Sequence, residues 1–245
     1  MKKYAKLLTL LVLLLSACED DRKNDQIRFG VCADYPPFEY YVKGELTGFD
    51  VELAKAIAIK LKMNVEFGDM SFSAILAELQ NGSIDAAVSC ISSTAERKKN
   101  YDFTNAYYKE SLAVMYKKNA PVISKEQMVD KKVACQLGSV PEKWLKKNAT
   151  KSKITSLDKV DLAIEALKAG HVHCILVDSL IAKPYCETNQ ELGYTVIVKD
   201  VAESEGFSIA LKKDSPLTKR INDVVTEMES SGELQELKEK WGLAK

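Results

Sequence analysis

From Ile27 onward, short runs rich in β-branched and aromatic residues alternate with longer stretches whose apolar positions recur every three to four residues. That alternation is the pattern of parallel sheets covered by helices, so the chain reads as an α/β protein. Strands are predicted over 27–33, 63–67, 86–90, 112–116, 132–136, 172–177, 195–198 and 207–211. A helix over 50–62, capped by Asp50, carries Val51, Ala54, Ile57, Ala58 and Leu61 on one face. A shorter helix is predicted over 73–80, and another over 158–169 with Val160, Ala163, Ile164 and Leu167 inward and Gly170 as its stop. Ser215 and Pro216 open a helix whose buried stripe is Leu217, Ile221, Val224, Val225 and Met228, and Gly232 breaks it before a last short helix ending near Trp241. There is no internal repeat. Open α/β sheets bind ligands beyond the carboxyl ends of their strands, which directs attention to 32–35, 89–93, 136–139 and Asp178.

The first residues differ in kind. Lys2, Lys3 and Lys6 precede an apolar run over 7–15, which meets Ser16, Ala17 and Cys18. This is the layout of an export signal, and the run is shorter than the roughly 20 residues a bilayer span requires. Leu15, Ser16, Ala17 and Cys18 also match a bacterial lipobox, in which the Cys thiol is lipidated and becomes the new N-terminus. An ordinary secretory signal cut nearby is the alternative. The expectation is a signal peptide over 1–17 and a lipidated, charged tether over 18–26, outside the fold. The protein is then extracytoplasmic and lipid-anchored.

Composition narrows the functions. The 245 residues are 46% hydrophobic, and 35 Lys and Arg balance 35 Asp and Glu, so no net field favours nucleic acid. Five cysteines follow Cys18, an odd number, so at least one is a free thiol. Cys32, Cys90, Cys135 and Cys174 lie in strand-like runs and read as small buried side chains. No metal or cofactor is expected. His171, His173 and Cys174 stand at the strand end remote from the predicted cleft, whereas Cys32 and Cys90 stand near it, as a disulfide or as soft lining.

Ser89, Cys90, Ile91, Ser92 and Ser93 lead from a strand end toward Arg97. Ser93 and Glu96 have the spacing of a capping box, so a helix is predicted from Ser93 or Thr94 with Arg97 in its first turn. A helix N-terminus joined by a guanidinium is a receptor for a carboxylate, with a surface arginine in a basic run as the plain alternative. Tyr35 and Phe72 are loop aromatics that either pack the loop or face a ligand. Asp178 closes a strand and opens a helix, as an N-cap or as a carboxylate for an ammonium group.

The segments YPPFEY at 35–40, GELTGFD at 44–50, AERKK at 95–99 and YDFTNAYY at 101–108 together resemble the bacterial family 3 extracellular solute-binding proteins, the amino-acid receptors of ABC importers. The resemblance runs from Ile27 to the WG pair at 241–242. It implies a periplasmic binding protein type II-like fold: two Rossmann-like lobes joined by a two-segment hinge near 109–111 and 203–206, with lobe 1 formed by 27–109 and 207–245 and lobe 2 by 110–206. It also implies that Arg97 takes a ligand α-carboxylate with help from Ser92, Gly138 and Ser139. Asp178 and the Ser89 or Cys90 backbone then take the α-ammonium, and Tyr35 and Phe72 sandwich the side chain. Cys32 stands where the family commonly has an acid, leaving Asp34 and Glu39 as the nearby carboxylates, and Val140 replaces a common hydroxyl residue. The implied partners are a free polar or basic amino acid and the importer's membrane permease, with the protein a monomer and not an enzyme. Arginine or lysine stands ahead of a neutral polar amino acid or cystine. The alternative is a cyclohexadienyl (arogenate or prephenate) dehydratase on the same fold, with Asp34 or Glu39 as general acid.

Overall fold

The computed structural model describes residues 25–244, so the predicted signal sequence, Cys18 and nearly all of the tether lie outside the described residues. Strand β1 (Gln26–Val31) starts one residue earlier than the predicted fold, and the preceding Asp25 carbonyl accepts a hydrogen bond from Asn64 N. A meander follows that the coarse alternation does not announce: β2 (Asp34–Tyr35), β3 (Glu39–Val42) and β4 (Glu45–Thr47). Its two-residue turn is Lys43 at φ 51° and Gly44 at φ 85°, both in the left-handed region that a tight hairpin requires. Gly48, at φ 129°, then opens α1 (Phe49–Leu61). A Cβ on Gly48 would lie 2.0 Å from the Phe38 carbonyl oxygen, so glycine lets the meander lie against the helix start. Asp50 is therefore not the cap. It is fully buried inside the first turn, where its Oδ2 accepts from Cys90 N (2.9 Å) and the Tyr107 hydroxyl (2.8 Å).

Next come β5 (Asn64–Asp69), α2 (Phe72–Asn81) and the very short β6 (Ala86–Ala87). The predicted strand over 86–90 ends early, and further on Cys90 takes φ 46°. Where a helix is predicted from Ser93 or Thr94, the chain instead forms β7 (Ser92–Thr94), and only a single 3-10 turn follows at Arg97–Lys99. Thr94 Oγ1, not Ser93, accepts the Arg97 backbone N–H at 3.2 Å. Backbone pairing of Ser92 and Thr94 with residues 204–207 outcompetes the local capping signal.

The chain continues as β8 (Tyr101–Phe103), β9 (Leu112–Lys117), β10 (Lys132–Gln136), α3 (Val140–Asn148), β11 (Lys153–Leu157), α4 (Val160–Ala169), β12 (Cys174–Asp178), α5 (Ser179–Thr188) and β13 (Leu192–Val198). It closes with β14 (Ser204–Phe207), β15 (Ala210–Lys212), α6 (Leu217–Ser231) and α7 (Glu233–Lys240). Gly170 at φ 78° and Gly232 at φ 88° end α4 and α6, as the pattern predicts. The predicted strand over 207–211 is split, because Ser208 N bonds to Ile91 O and Ile209 N to Thr104 Oγ1 instead of joining one ladder.

Two five-stranded sheets result, in the orders β5-β1-β6-β15-β8 and β11-β10-β12-β9-β13. The first three strands of each order are parallel and the remainder are joined antiparallel. The chain passes from the first sheet to the second between β8 and β9, and back between β13 and β15. The two passages run side by side, with Phe207 N bonded to Tyr108 O and Tyr107 N to Phe207 O, both at 2.8 Å. Phe38 anchors them. Its fully buried ring meets Phe49, Tyr108 and Phe207 edge-on at centroid distances of 5.8, 6.0 and 5.8 Å, tying the meander, α1 and both passages together. The carboxyl ends of β1, β6, β10 and β12 converge between the sheets, as the alternating pattern anticipates.

Candidate ligand-binding site

Arg97 is buried, 7% exposed, although it sits in the basic run Arg97, Lys98, Lys99. Its Nη1 donates to Ser92 O at 2.9 Å and its Nη2 to Gly138 O at 3.0 Å, so one guanidinium spans the two sheets' loops. The guanidinium carbon lies over the Phe72 ring, 5.7 Å from its centroid and within cation–π range. Burial pulls its pKa down, while Glu110, Glu96 and Asp178 act to raise it. The helix end expected beside Arg97 is found elsewhere: Ser139 caps α3, accepting from Glu142 N at 3.2 Å and donating to Gln136 O at 2.7 Å. Glu142 Oε2 in turn accepts from Gly138 N at 2.9 Å. The N-terminus of α3 thus faces Arg97 from the second sheet, with Val140 and Pro141 at its first positions on the cleft wall.

Asp178 ends β12 and precedes α5, yet its side chain makes no capping bond. Oδ2 instead accepts from the Tyr35 hydroxyl of the other sheet's loop, and Oδ1 has no hydrogen-bond donor. Burial, then the neighbouring Glu110, pushes its pKa well above the usual carboxylate range. Glu110 lies in the first passage between the sheets; Ser92 Oγ donates to its Oε2 at 2.8 Å and its Oε1 is also without a donor.

A second group of acids closes the opposite wall. Glu39 Oε1 accepts from Ser89 Oγ at 2.7 Å, and that same Oγ accepts from Cys32 N at 3.0 Å. Glu39 Oε2 has no donor, and burial followed by the adjacent Asp50 raises its pKa well above the ordinary value. Asp34, held up at about 6 by burial, has both oxygens occupied. Oδ1 takes the Cys32 thiol at 3.2 Å, and Oδ2 takes Val160 N at 2.6 Å, at the start of α4. Of the two carboxylates that sequence leaves beside Cys32, Asp34 therefore holds the lobes together and Glu39 keeps an open acceptor.

Cys32, Asp34, Tyr35 and Glu39 line the cleft from the first loops, Phe72, Ser89, Cys90 and Ser92 from the next, and Gln136, Ser139 and Asp178 from the second sheet. Arg97 and Gly138 are bonded to each other, and Arg97 to the lining residue Ser92. The side chains close on a space of about 10 Å³, enough for one water, so a larger ligand enters only as the walls part. The ligand-binding residues expected from the sequence thus line one cleft or bond directly to its lining, while Cys18 lies outside the described residues. Sequence reasoning gave no site role to Glu110, Gln136, Asp50 or Tyr107, although Asp50 and Tyr107 lie within the segments at 44–50 and 101–108 and Gln136 at a strand end already singled out; only Glu110 belongs to no local motif.

Cys32 and Cys90 are free thiols, as are Cys135, Cys174 and Cys186. Cys90 Sγ, Glu39 and Asp50 offer ligand atoms within 4.8 Å of one another. Burial, then Glu39 and Asp50, raises the Cys90 thiol pKa strongly, which keeps the proton on and opposes the thiolate a metal needs. His173 Nδ1 accepts from Lys132 N at 3.1 Å, an edge contact at the far end of β12 from Asp178.

Residues 27–244 match the family described as bacterial extracellular solute-binding proteins, family 3. The chain belongs to this family. As a family 3 protein it is an extracytoplasmic solute-binding component, and the relatives it matches are binding proteins rather than enzymes. It is 33% identical over 250 residues to the arginine-binding extracellular protein ArtP of Bacillus subtilis, covering 98% of both chains. It is 32% identical over 225 residues to the L-cystine-binding protein TcyJ of Escherichia coli, covering 90% of this chain and 84% of that one. Among solved structures, an ancestral arginine-binding protein bound to arginine superposes with a TM-score of 0.84 at 35% identity, covering 89% of this chain and 98% of that one. An ancestral arginine-binding protein bound to glutamine also gives 0.84 at 35% identity, covering 91% of this chain and 100% of that one. These are type II periplasmic binding folds, and this family 3 chain shares that architecture of two α/β lobes around a cleft.

Proposed function

We propose that this protein is the amino-acid-binding component of an ABC importer and that its ligand is a cationic amino acid, with L-arginine first. The observation that carries the reading is the acid content of the cleft: Asp34, Glu39 and Asp178 line it and Asp50 and Glu110 are buried beside it, against one buried guanidinium, Arg97. Burial raises the pKa of every one of these acids, so their ionised forms need cationic partners; a neutral amino acid brings one positive charge with one negative, whereas arginine or lysine adds a second positive charge. In this reading Arg97 takes the α-carboxylate, aided by Ser92, Gly138 and the capped end of α3 at Ser139. Asp178, with the backbone at Ser89 and Cys90, takes the α-ammonium. Tyr35 and Phe72 flank the aliphatic stem, and Glu39 meets the distal cation, with Cys32 and Asp34 beside it.

The lobes divide at the two passages, 27–109 with 207–245 against 110–206. Ligand contacts to both lobes supply the differential affinity that closure requires, and the closed form docks on the permease. Export and lipidation at Cys18 would hold a monomer at the membrane. The solved relatives bound to arginine and glutamine support an amino-acid ligand without deciding between them. A dehydratase reading has less support, since both oxygens of Asp34 are engaged in holding Cys32 and α4 and the relatives reported are binding proteins.

Titration calorimetry with L-arginine, L-lysine, L-glutamine and L-cystine tests the assignment. Arginine is expected to bind tightest. Equal or tighter binding of glutamine or cystine overturns the cationic ligand, and no binding by any amino acid overturns the function.

A further inference from the structure

Asp178 and Glu110 reach the cleft from different segments, the end of β12 and the first passage between the lobes. They are 6% and 5% exposed, and the segments that carry them run side by side, with Asp178 paired to Leu112 across the β12–β9 ladder and Ser179 N donating to Ser111 O at 2.7 Å. Each has one oxygen satisfied, Asp178 Oδ2 by the Tyr35 hydroxyl and Glu110 Oε2 by the Ser92 hydroxyl. Each also has one oxygen with no donor, Asp178 Oδ1 and Glu110 Oε1. Two buried carboxylates side by side, each with an unsatisfied oxygen, repel, whereas a carboxyl and a carboxylate sharing one proton satisfy both. The other groups facing the pair do not remove the need for that proton. Arg97 is the single cation among them and its Nη1 and Nη2 donate to Ser92 O and Gly138 O. Cys90 is a buried thiol held protonated, Tyr35 donates its only hydroxyl proton to Asp178, and Ser204 meets Glu110 from the second passage.

We propose that Asp178 and Glu110 share one proton in the ligand-free cleft, that the α-ammonium of the incoming amino acid displaces it to solvent, and that Glu110 is the positioning residue that makes binding proton-linked. The inference rests on the amino-acid reading above, with Asp178 as the ammonium acceptor. The O–H bond of the shared proton breaks, the proton passes to water or buffer, and the ammonium N–H groups take over its hydrogen bonds. Both carboxylates are then ionised against one ammonium. The direction of the pH dependence follows. Burial holds the pair's protons more tightly in the free cleft than in ordinary carboxyls. Affinity therefore falls as pH drops through the free pair's titration, by up to about tenfold per pH unit for one proton, and levels off above it. Glu110 also joins Ser92, which sits beside Arg97 in the first lobe, to Asp178 in the second. The proton is thus released where the ligand bridges the lobes.

The test is calorimetry of L-arginine, or of whichever amino acid binds, at one pH in buffers of widely different ionisation enthalpy. The slope of observed enthalpy against buffer enthalpy counts protons released. For the wild-type chain about one proton or more per ligand is expected, and for Glu110→Gln about one fewer, because the Gln amide donates to Asp178 Oδ1 and leaves Asp178 ionised before the ligand arrives. The log affinity of Glu110→Gln should also lose about one unit of its slope against pH. A wild-type enthalpy independent of buffer overturns the proposal while leaving amino-acid binding intact. So does a Glu110→Gln protein that releases as many protons as wild type. Absence of binding by every amino acid instead removes the functional reading on which it rests.

Discussion

Arg97 and Glu39 divide the recognition of a ligand between what all amino acids share and what distinguishes one of them. Arg97 is held by two carbonyls and by the Phe72 ring, so it is oriented before a carboxylate arrives. Truncation as Arg97→Ala should weaken every amino acid that binds by on the order of 2–5 kcal/mol, because the ligand carboxylate is then buried without its partner. Glu39→Gln should act differently. It preserves the bond with Ser89 and removes one negative charge, so arginine should lose about 1.5–3 kcal/mol while glutamine is little affected. Calorimetry of both variants with both ligands checks the pair. A uniform loss in Glu39→Gln would place the side-chain cation elsewhere.

At the scale of elements, the two passages between the lobes are held to a narrow geometry by glycine. Gly206 takes φ 119°, and a Cβ there would come within 2.3 Å of the Tyr108 carbonyl oxygen. Backbone cannot yield as a side chain can, so Gly206→Ala should destabilise the fold by at least about 1–3 kcal/mol, read as a lowered midpoint in urea. Wild-type stability in this variant would show that the passages tolerate separation. Gly232 is the contrast. It also has positive φ, 88°, but no atom lies within 4 Å of its added Cβ, so it carries the conformational cost alone. The same scale explains the failed helix after Ser93. The capping-box spacing is a local preference, and the ladder joining β7 to β14 supplies backbone partners more than 100 residues away.

For the whole molecule, the concentration of buried acid has a consequence for stability. Asp34 and Asp50 titrate at about 6 in the fold because burial disfavours their charge, against about 3.9 in an unfolded chain. The folded ligand-free protein therefore binds protons more tightly than the unfolded one between those values. Its stability should rise as pH falls from 7 toward 5, by on the order of 1 kcal/mol per group. The carboxylates with lowered pKa, Asp102 and Glu142 among them, oppose this as pH falls from the ordinary carboxylate range toward their lowered values. A ligand-free melting temperature that is lower at pH 5 than at pH 7 would show that these acids are ionised and paired in the fold.

What the chain determines by itself is local. The alternation of periods sets the α/β class, Gly170 and Gly232 stop their helices, and Asp178 marks a strand end. Quoted together, the motifs around Tyr35, Gly48 and Arg97 also locate most of the cleft. These readings succeed because helix and strand periodicity and the positive φ of glycine are properties of a few neighbouring residues. The tertiary structure decides the roles. Asp50 looks like a cap and instead holds Cys90 N, 40 residues away. Asp178 looks like a cap and is met by Tyr35, 143 residues away. Asp34 and Glu39 have equal standing in sequence, and only the approach of Val160 N, 126 residues from Asp34, leaves Glu39 with the open oxygen. Glu110 has no motif at all, and its importance arises when burial brings it beside a second carboxyl. Charge in a cleft is a sum over distant segments, each desolvated by the others, and no local pattern records that sum.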